Sequence, residues 1–488
     1  MARLPAHRVA GLYLAQRVRF GVKFGLETMR ALVAEMGHPE RAYPSLLIAG
    51  TNGKGSVAAY CDAVLRASGL RAGLYTSPHL VHVRERIKVA GRPTSDLAFA
   101  SALSAVRDAA KRLIGRRVLA AHPTFFEVLT AAAFVHFRDE RVDVAVLEVG
   151  MGGRLDATNV AEPIASAIVS VDFDHEVYLG RTLAAIAREK AGVLRAGRAT
   201  VIGPLRGDAR RAIQARARAL GARLVEAGSG AGRYRDITPL PGEHQRDNLA
   251  VAIRLLEQAK RAGLAVDLAR VPEAVASTRW PGRLQRIPGD PAILLDGAHN
   301  PAGARALAAH LADGPPFVLV FAAMADKDVR GLAQALFPLA SGIVLTAPRV
   351  SRAATPAALA RRAGRLARGA VRQPSVARAL ARARRLARAH GPQTQVVVAG
   401  SLYLVGAILA LLARERRRGR ARRSSADSGA RPAGRGSGSA TRASPIRRVP
   451  QRARGSGRRN RSRTSRDSRS RGRRSPPRAH QGRAARAA

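Results

Sequence analysis

The stretch that most constrains the fold of this chain lies at residues 46–67. An apolar run of strand length, residues 46–49, leads into the sequence GTNGKGS at residues 50–56, and a helix-compatible segment follows. A strand, a glycine-rich turn and a helix in this order point several backbone N–H groups and a helix N-terminus at one place, which suits a phosphate. Lys54 would neutralise phosphate charge, and the Ser56 hydroxyl would reach a Mg²⁺ ion. The stretch predicts a nucleotide-binding loop in an α/β fold.

This loop departs from the common P-loop pattern. The common pattern places its first glycine five residues before Gly-Lys, whereas Gly50 lies three residues before Gly53 here, and Gly55 separates Lys54 from Ser56. The generic pattern therefore leaves open a glycine-rich turn that binds nothing.

Further strand patterns end in polar residues. Residues 144–147 form a continuous apolar run, as expected for a central parallel strand buried on both faces. The run ends at Glu148, and a carboxylate at the C-terminal edge of such a strand suits a Mg²⁺ ligand. A second run, residues 165–171, leads to His175 and then to Lys190.

A second α/β pattern begins near residue 284. Residues 292–295, 317–321 and 343–345 read as strands, while residues 352–390 read as helical, with Pro356 and Pro374 as interruptions. At 488 residues the chain exceeds one ordinary domain. We predict an N-terminal P-loop three-layer α/β domain (1–283), a smaller C-terminal Rossmann-like α/β domain (284–413) and a disordered basic tail (414–488).

The net charge of +50 is unevenly distributed. Residues 414–488 hold 26 arginines against three acids, and the first 413 residues hold 58 basic and 31 acidic residues. The tail is rich in Arg, Ser, Gly and Pro with few apolar residues, so it cannot offset its own ordering entropy. It would bind RNA or DNA non-specifically, or serve only as a solvated extension.

Two readings exist for the uncharged residues 391–413. Their length would span a bilayer, and arginines follow immediately. Polar residues such as Gln393 and Ser401 dilute the apolarity, so a strand followed by a helix is favoured. The single cysteine, Cys61, allows no intramolecular disulfide, and we see no signal peptide. We expect a cytoplasmic protein without a membrane span.

Taken together, at least six ordered strings over residues 20–415 resemble the folylpolyglutamate synthase/dihydrofolate synthase branch of the Mur ligase superfamily. They are GTNGKGS, TSPHL with ERI, EVGMGGRLDATN, DH with LG and IAREKAG, DGAHNP, and VVVAGSLYLVG. The TSPHL segment resembles the family's mobile loop beside the active site, although an ordinary polar connection with a solvated His79 stays open.

The resemblance also implies roles for individual residues. ATP binding falls to Gly50, Thr51, Asn52, Gly53, Lys54, Gly55, Ser56, Asn248, Arg283 and Asp296. Ser56, Glu148 and His175 match metal ligands, and Thr124, Phe126 and Asp156 match the pterin site, with His299 on the glutamate side. Lys54, His175 and Lys190 are the expected catalytic residues. Lys190 matches a carbamylated lysine; the alternative is a contact with Glu189 or with phosphate.

The implied activity is ATP-dependent ligation of L-glutamate to dihydropteroate, to reduced folates, or to both, through an acyl phosphate. ATP, two Mg²⁺ ions and an optional monovalent cation are the expected cofactors, and the protein is expected to be a monomer. Polyglutamate synthesis alone and another Mur-type ligase are alternatives of the same chemistry. The P-loop begins by residue 50, which argues against a UDP-sugar-binding domain before it. An RNA-binding NTPase acting through the tail is the alternative of another class.

Overall fold

The computed structural model describes residues 6–17, 25–228, 234 and 236–428. Two β-sheets, each covered by helices on both faces, make up this part of the chain. The predicted tail lies outside the described residues from residue 429 onward.

The first sheet has eight strands, in the order β4-β3-β2-β5-β1-β6-β7-β8. They are β1 Ser45–Ala49, β2 Ala72–Tyr75, β3 Ile87–Val89, β4 Arg92–Pro93, β5 Val144–Glu148, β6 Ala165–Ile168, β7 Ala199–Ile202 and β8 Arg223–Glu226. The six strands β2, β5, β1, β6, β7 and β8 are parallel to one another, and β3 and β4 add an antiparallel edge beside β2. The strands β1 and β5 are fully buried, as their continuous apolar runs predict.

Ten helices accompany the first sheet in the described residues. They are α1 Ala6–Arg17, α2 Glu27–Glu35, α3 Lys54–Ala67, α4 Asp96–Gly115, α5 Phe125–Asp139, α6 Glu176–Leu179, α7 Leu183–Lys190, α8 Gly207–Leu220, α9 Glu243–Arg261 and α10 Val271–Ala276. Helices α3, α9 and α10 cover one face with one apolar core, and α2, α4, α5 and α8 cover the other with a second core. This arrangement is the predicted three-layer α/β sandwich.

The second sheet has six strands, in the order β13-β12-β11-β14-β10-β9, of which only β9 is antiparallel. The strands are β9 Gln285–Ile287, β10 Ile293–Leu295, β11 Phe317–Phe321, β12 Gly342–Leu345, β13 Val371–Arg372 and β14 Gln395–Ala399. The helices are α11 Pro301–Leu311, α12 Val329–Leu336, α13 Pro356–Ala363, α14 Val376–Ala389 and α15 Leu402–Ser428. Helices α11 to α13 pack on one face, and α14 and α15 pack on the other.

Two local predictions differ from the structure. Residues 352–390 are not helical throughout, because β13 pairs with β12 at the sheet edge between α13 and α14. The last helix does not end at residue 413 but continues to Ser428, into the predicted tail. Arginine and alanine are good helix formers, so the helix can extend beyond its packed part.

The uncharged stretch 391–413 forms β14 and the first part of α15. No helix in the described part of the chain is both long enough and apolar enough to cross a bilayer. The predicted α/β fold with two sheets is confirmed, while the domain boundaries at residues 283 and 413 stay predictions.

Candidate active site

A cleft of about 620 Å³ lies at the carboxyl ends of the parallel strands. Every residue with a predicted binding or catalytic role lines it, and these residues come from both sheets. From the first sheet come residues 50–56, Thr124, Phe126, Glu148, Asp156, His175, Lys190 and Asn248. Arg283, Asp296 and His299 come from the second. Ligands of open parallel sheets bind at this edge.

The glycine-rich loop follows β1, the strand between β5 and β6. Gly53 has a φ of +85°, and a Cβ placed on it would lie 2.1 Å from the side-chain oxygen of Asn248. Only glycine adopts this conformation cheaply and admits Asn248 so close. Asn248, on α9, therefore lies directly against the loop, as expected if both bind ATP.

Lys54 and Ser56 begin helix α3. The Lys54 ammonium donates to the carbonyl oxygens of Gly50 and Thr51, at 3.0 and 3.2 Å, and so curls back over the loop. Burial lowers the pKa of Lys54, and the nearby Glu148 opposes that effect. The Ser56 hydroxyl is buried and has no hydrogen-bond partner among the described residues. A buried unsatisfied hydroxyl at a helix N-terminus needs an explanation, and a bound ion supplies one.

Glu148 ends β5 beside this hydroxyl-bearing helix. One of its carboxylate oxygens accepts from the backbone N–H of Ser77 at 2.9 Å, which ties the TSPHL segment to the site. Burial raises the pKa of Glu148, whereas Lys54 lowers it. A further cation near Glu148 would favour its charged form.

Lys190, the last residue of α7, is only 2% exposed. No hydrogen bond or ion pair to its ammonium occurs within the described ranges, and it does not pair with Glu189, which binds Arg154 instead. Burial, together with the nearby charge of Lys54, lowers the pKa of Lys190 to about 7. An amine with such a pKa is substantially neutral near pH 7, as a reaction with CO₂ requires.

Asp174 is the centre of a buried polar cluster. It forms an ion pair with Lys327, from the loop after β11, and accepts from Asn300 at 3.0 Å, while His299 lies 3.6 Å away. Burial raises the pKa of Asp174, but His299 and Lys327 outweigh it and hold that pKa well below its usual range. The cluster joins the first sheet to the second.

His175 is engaged by the same cluster. Its Nε2 atom lies 3.3 Å from the Lys327 ammonium, and burial lowers its pKa to about 4, so the ring is neutral. The Nε2 lone pair therefore faces Lys327, and metal binding by His175 would require Lys327 to move.

Asp296 and Arg283 occupy the second-sheet side of the cleft. The Asp296 oxygens accept from the backbone N–H groups of Leu284 and Ala298, at 2.9 and 2.8 Å. Arg283 donates to the Gly282 carbonyl at 3.1 Å, and its guanidinium would lie 2.4 Å from a Cβ on Gly297. Both side chains are therefore fixed by the backbone where the chain passes from one sheet to the other.

Thr124, Phe126 and Asp156 lie together on the first-sheet side. Thr124 caps α5, and the Phe126 ring covers Gly150 so closely that a Cβ there would lie 2.5 Å from it. The Asp156 oxygens accept from Met151 and Thr158 at 2.9 and 3.0 Å, and burial raises its pKa. An aromatic face beside a buried carboxyl group suits a flat heterocycle with N–H donors.

The donor set fits Mg²⁺ better than a metal that needs a dedicated protein cage. No group of three or more His, Cys, Asp or Glu side chains with metal-binding geometry occurs among the residues the structure describes. Mg²⁺ is usually held by one or two protein oxygens together with phosphate oxygens and water. The unpaired Ser56 hydroxyl and the Glu148 carboxylate would be such ligands.

Comparison with known proteins identifies the family. The family model described as "Mur ligase, glutamate ligase domain" matches residues 282–402. A folylpolyglutamate synthase of Lacticaseibacillus casei is 34% identical over 403 residues, which are 77% of this chain and 92% of that protein. The chain belongs to the folylpolyglutamate synthase/dihydrofolate synthase family. A dihydrofolate synthase/folylpolyglutamate synthase of Mycobacterium tuberculosis is 38% identical over 376 residues, 70% of this chain and 77% of that protein.

In some relatives the part that matches this chain is less than half of the whole protein. Two, from Halobacterium salinarum and Haloferax volcanii, are 40% identical to it, and the chain spans 42% and 48% of their length. It thus covers about half the length of these two relatives and most of the two described above.

Solved structures of the family agree with the fold. The M. tuberculosis folylpolyglutamate synthase complexed with ADP matches with a TM-score of 0.77 and 35% identity, over 83% of this chain and 98% of that one. E. coli FolC in complex with DHPP and ADP matches with a TM-score of 0.73 and 27% identity, over 85% of this chain and 99% of that one. The bifunctional folylpolyglutamate synthase/dihydrofolate synthase of Yersinia pestis complexed with AMPPNP and Mn matches with a TM-score of 0.72 and 28% identity, over 84% of this chain and 100% of that one. The predicted family is thereby confirmed.

Sequence reasoning missed several residues of this cleft. Ser77, Arg86, Asp174, Lys327 and Tyr403 line the cavity without a predicted role. Asn300, which donates to Asp174, also has none. The signal for most of them is that they belong to the TSPHL, ERI, DH, DGAHNP and VVVAGSLYLVG strings, whereas Lys327 belongs to none of these. Their pairing depends on contacts between distant segments, which no local pattern reports.

Proposed function

We propose that this chain is an ATP- and Mg²⁺-dependent ligase that joins the amine of L-glutamate to a folate carboxylate and releases ADP and phosphate. The acceptor would be dihydropteroate, the terminal glutamate of a reduced folate, or both. The observation that carries the proposal is the convergence of a phosphate loop, an unsatisfied Ser56 hydroxyl, Glu148 and a buried Lys190 in one cleft.

The chemistry requires activation of the acceptor. A carboxylate is a poor electrophile, because its negative charge repels an amine nucleophile. Attack of a carboxylate oxygen on the γ-phosphorus of ATP forms an acyl phosphate as the bond to ADP breaks. The glutamate nitrogen, having lost a proton, then attacks the acyl carbon, and phosphate leaves as the amide forms. Phosphoryl transfer of this kind depends mainly on positioning and charge neutralisation.

The chain's own groups would supply both. The loop amides and Lys54 hold the phosphates, Asn248 the adenine, and Asp296 and Arg283 the ribose and phosphate from the opposite side. Mg²⁺, when bound, neutralises charge on the phosphates. The Lys190 amine, which burial makes substantially neutral near pH 7, would add to CO₂ and release a proton to give a carbamate, which places an anionic oxygen beside the proposed metal site. A second Mg²⁺ at His175 and a monovalent cation belong to the same proposal.

The acceptor would lie against Phe126, Thr124 and Asp156, and the glutamate near His299. E. coli FolC, which this chain resembles, is in complex with DHPP and ADP, which supports binding of a second ligand together with a nucleotide. Closure of the second sheet over these ligands would exclude water and protect the acyl phosphate from hydrolysis.

A second candidate is polyglutamate synthesis alone. It is favoured by the name of the L. casei relative, a folylpolyglutamate synthase, whereas the M. tuberculosis relative carries both activities in its name. A monomer acting in the cytoplasm is proposed in either case, with any nucleic-acid binding confined to the basic tail.

The test is a ligation assay with the full chain, ATP, Mg²⁺ and L-glutamate. Either dihydropteroate or tetrahydrofolate is added, and phosphate release and product mass are measured together. Stimulation by both acceptors supports the bifunctional enzyme, and stimulation by tetrahydrofolate alone supports the second candidate. Phosphate release that neither acceptor stimulates would remove the folate function. Truncation after Ser428, which keeps α15 whole, tests the tail: unchanged ligation would place the function in residues 1–428.

A further inference from the structure

Helix α14 carries an exposed stripe of arginines on one face of the second sheet. Arg378, Arg382 and Arg385 are exposed, and their spacing of four and three residues places them on one side of the helix. The opposite side of α14 is apolar and is buried against the sheet. The helix contains no acidic residue. A row of three guanidinium groups therefore faces solvent over a length of about 10 Å.

Helix α15 continues this positive surface. Arg384 of α14 donates two hydrogen bonds to the Glu415 carboxylate, at 3.2 and 3.1 Å, so this part of α15 lies beside α14. The residues next to Glu415 are exposed arginines as well. Together with the stripe on α14 they form what we call the basic face, which consists of Arg378, Arg382, Arg385, Arg414, Arg416, Arg417 and Arg418.

The basic face lacks compensating negative charge. Within the described ranges, none of its seven arginines forms an ion pair with a carboxylate, and the two nearest acids are engaged by other arginines. Glu415 pairs with Arg384, and Asp290 lies 3.6 Å from Arg388. An exposed array of unpaired cations on one surface attracts a ligand that carries many negative charges.

The side chains of the basic face indicate which polyanion it fits. Helices that bind a lipid surface insert large apolar side chains next to their basic residues, but no large apolar side chain is exposed on α14 or on the described part of α15. Single-stranded nucleic acids are held by aromatic side chains on which the bases stack. Tyr403 is the single aromatic residue in the two helices, and it lines the cleft instead. Arginines on rigid helices, without aromatic neighbours, suit the regularly spaced phosphates of a double helix.

We propose that the basic face binds double-stranded DNA through its phosphate backbone, without sequence preference. Each guanidinium donates to phosphate oxygens and displaces counterions, so the affinity falls steeply as the salt concentration rises. Residues 429–488, which follow α15 in the sequence, contain 19 arginines and one acid, Asp467, and so continue the same chemistry. DNA binding thus extends beyond the predicted tail to the folded part of the chain. The proposal is independent of the ligase function, because no residue of the basic face lines the cleft.

The experiment measures how salt weakens the binding of DNA to the full chain. A fluorescent duplex of about 20 base pairs and arbitrary sequence is titrated with protein between about 50 and 200 mM salt. The test variant combines Arg378→Gln, Arg382→Gln and Arg385→Gln. Thermal unfolding of each protein establishes that it is folded.

A matched control removes the same charge elsewhere. It combines Arg210→Gln, Arg211→Gln and Arg270→Gln, three arginines that accompany the first sheet. Each of them forms an ion pair with a carboxylate, with Glu226, Asp208 and Glu273 respectively. The comparison therefore separates a local contact with DNA from a general effect of net charge.

The slope of the logarithm of the binding constant against the logarithm of the salt concentration is the quantity compared. Loss of three phosphate contacts should make this slope shallower by about 2–3 in the test variant. The control variant should change it by less than about 0.5. A slope that is equal in wild type and the test variant would overturn the proposal. Equal changes in the two triple variants would also overturn it, because net charge alone would then explain the binding.

Competitors show whether double-stranded DNA is the ligand. Unlabelled single-stranded DNA, duplex RNA of the same sequence, and vesicles of phosphatidylserine and phosphatidylcholine are added to the complex. Strongest competition by unlabelled duplex DNA supports the proposal, whereas stronger competition by any of the other three contradicts it. DNA binding by wild type with no difference in the test variant would assign the binding to residues outside the stripe on α14. Ligation is measured separately, and its presence or absence leaves this result unchanged.

Discussion

The two sides of the cleft differ in how their polar groups are held. On the first-sheet side, the Ser56 hydroxyl and the Lys190 amine are buried without partners in the described structure. On the second-sheet side, Lys327 pairs with Asp174, Asn300 with Asn52, and Asp296 with two backbone amides. The first-sheet side therefore has two buried polar groups that are available to bind a ligand. The polar groups of the second-sheet side are instead used in contacts, several of which connect the two sheets.

Most apolar side chains pack against their own sheet, but one apolar contact connects the two sheets. Leu80, from the TSPHL loop of the first sheet, packs with the core beneath α14 and α15. A Cβ on Gly406 of α15 would lie 1.8 Å from the Leu80 carbonyl oxygen. The loop that binds Glu148 through Ser77 thus also contacts the second sheet, so a movement of the second sheet, as in the proposed closure, would be transmitted to Glu148.

The largest expected effect is on the unpaired side. Lys190→Ala should reduce ligation by ~100-fold or more, because the variant cannot form the proposed carbamate beside the proposed metal site. Phosphate release with dihydropteroate measures it, and added short-chain carboxylic acids should restore part of the rate. Full activity of the variant would exclude a carbamate role.

Next in size is the loss of the buried ion pair across the cleft. Asp174→Asn leaves Lys327 buried without a carboxylate and should lower the free energy of unfolding by about 3–5 kcal/mol. Urea unfolding measures it. Glu415→Gln is the control, because Glu415 and Arg384 form an exposed pair expected to contribute less than about 1 kcal/mol. Equal losses of stability in the two variants would contradict the role of the Asp174–Lys327 ion pair in connecting the two sheets.

A smaller effect is expected at the crossing contact. Gly406→Ala must displace the Leu80 backbone and should cost about 1–3 kcal/mol of stability, with a higher KM for the acceptor. Gly115→Ala, at the end of α4, has open space around its Cβ position and should be neutral or slightly stabilising. An unchanged KM in Gly406→Ala would break the link between closure and the TSPHL loop.

The pH dependence of Lys190 gives an effect of similar size. Because burial holds its pKa at about 7, the amine is neutral above that pH and becomes an ammonium as the pH falls through it. Uptake of labelled bicarbonate by the ligand-free protein should therefore fall about fivefold between pH 7 and 6. Carbon NMR measures the carbamate, with Lys190→Ala as the blank. Uptake that stays constant over this range would contradict a neutral, reactive amine.

The smallest expected effect is that of the amide pair. Asn52 and Asn300 exchange two hydrogen bonds, at 3.2 and 2.9 Å, across the cleft. A double-mutant cycle of Asn52→Ala and Asn300→Ala should give a coupling of about 1 kcal/mol in unfolding experiments. Additive losses would show that this contact does not couple the sheets.

Sequence patterns captured the unpaired side of the cleft far better than the paired side. The strand, loop and helix around Lys54 and the carboxylate at the end of β5 are local features, so their positions follow from apolar runs and glycines. The partners Asp174 and Lys327 lie 153 residues apart in sequence, and nothing local marks either as half of a pair. The edge strand β13 was missed for a related reason. It has only two residues, which form a strand because they pair with β12, and this pairing is not a local feature of the sequence.

The most direct test of carboxylate activation follows the acceptor's own oxygen. Dihydropteroate carrying heavy oxygen in its carboxylate is incubated with ATP, Mg²⁺, L-glutamate and the full chain, and the released phosphate is analysed by mass spectrometry. An acyl phosphate predicts one heavy oxygen in each phosphate released with amide formation. Unlabelled phosphate, formed while the amide product accumulates, would contradict the account.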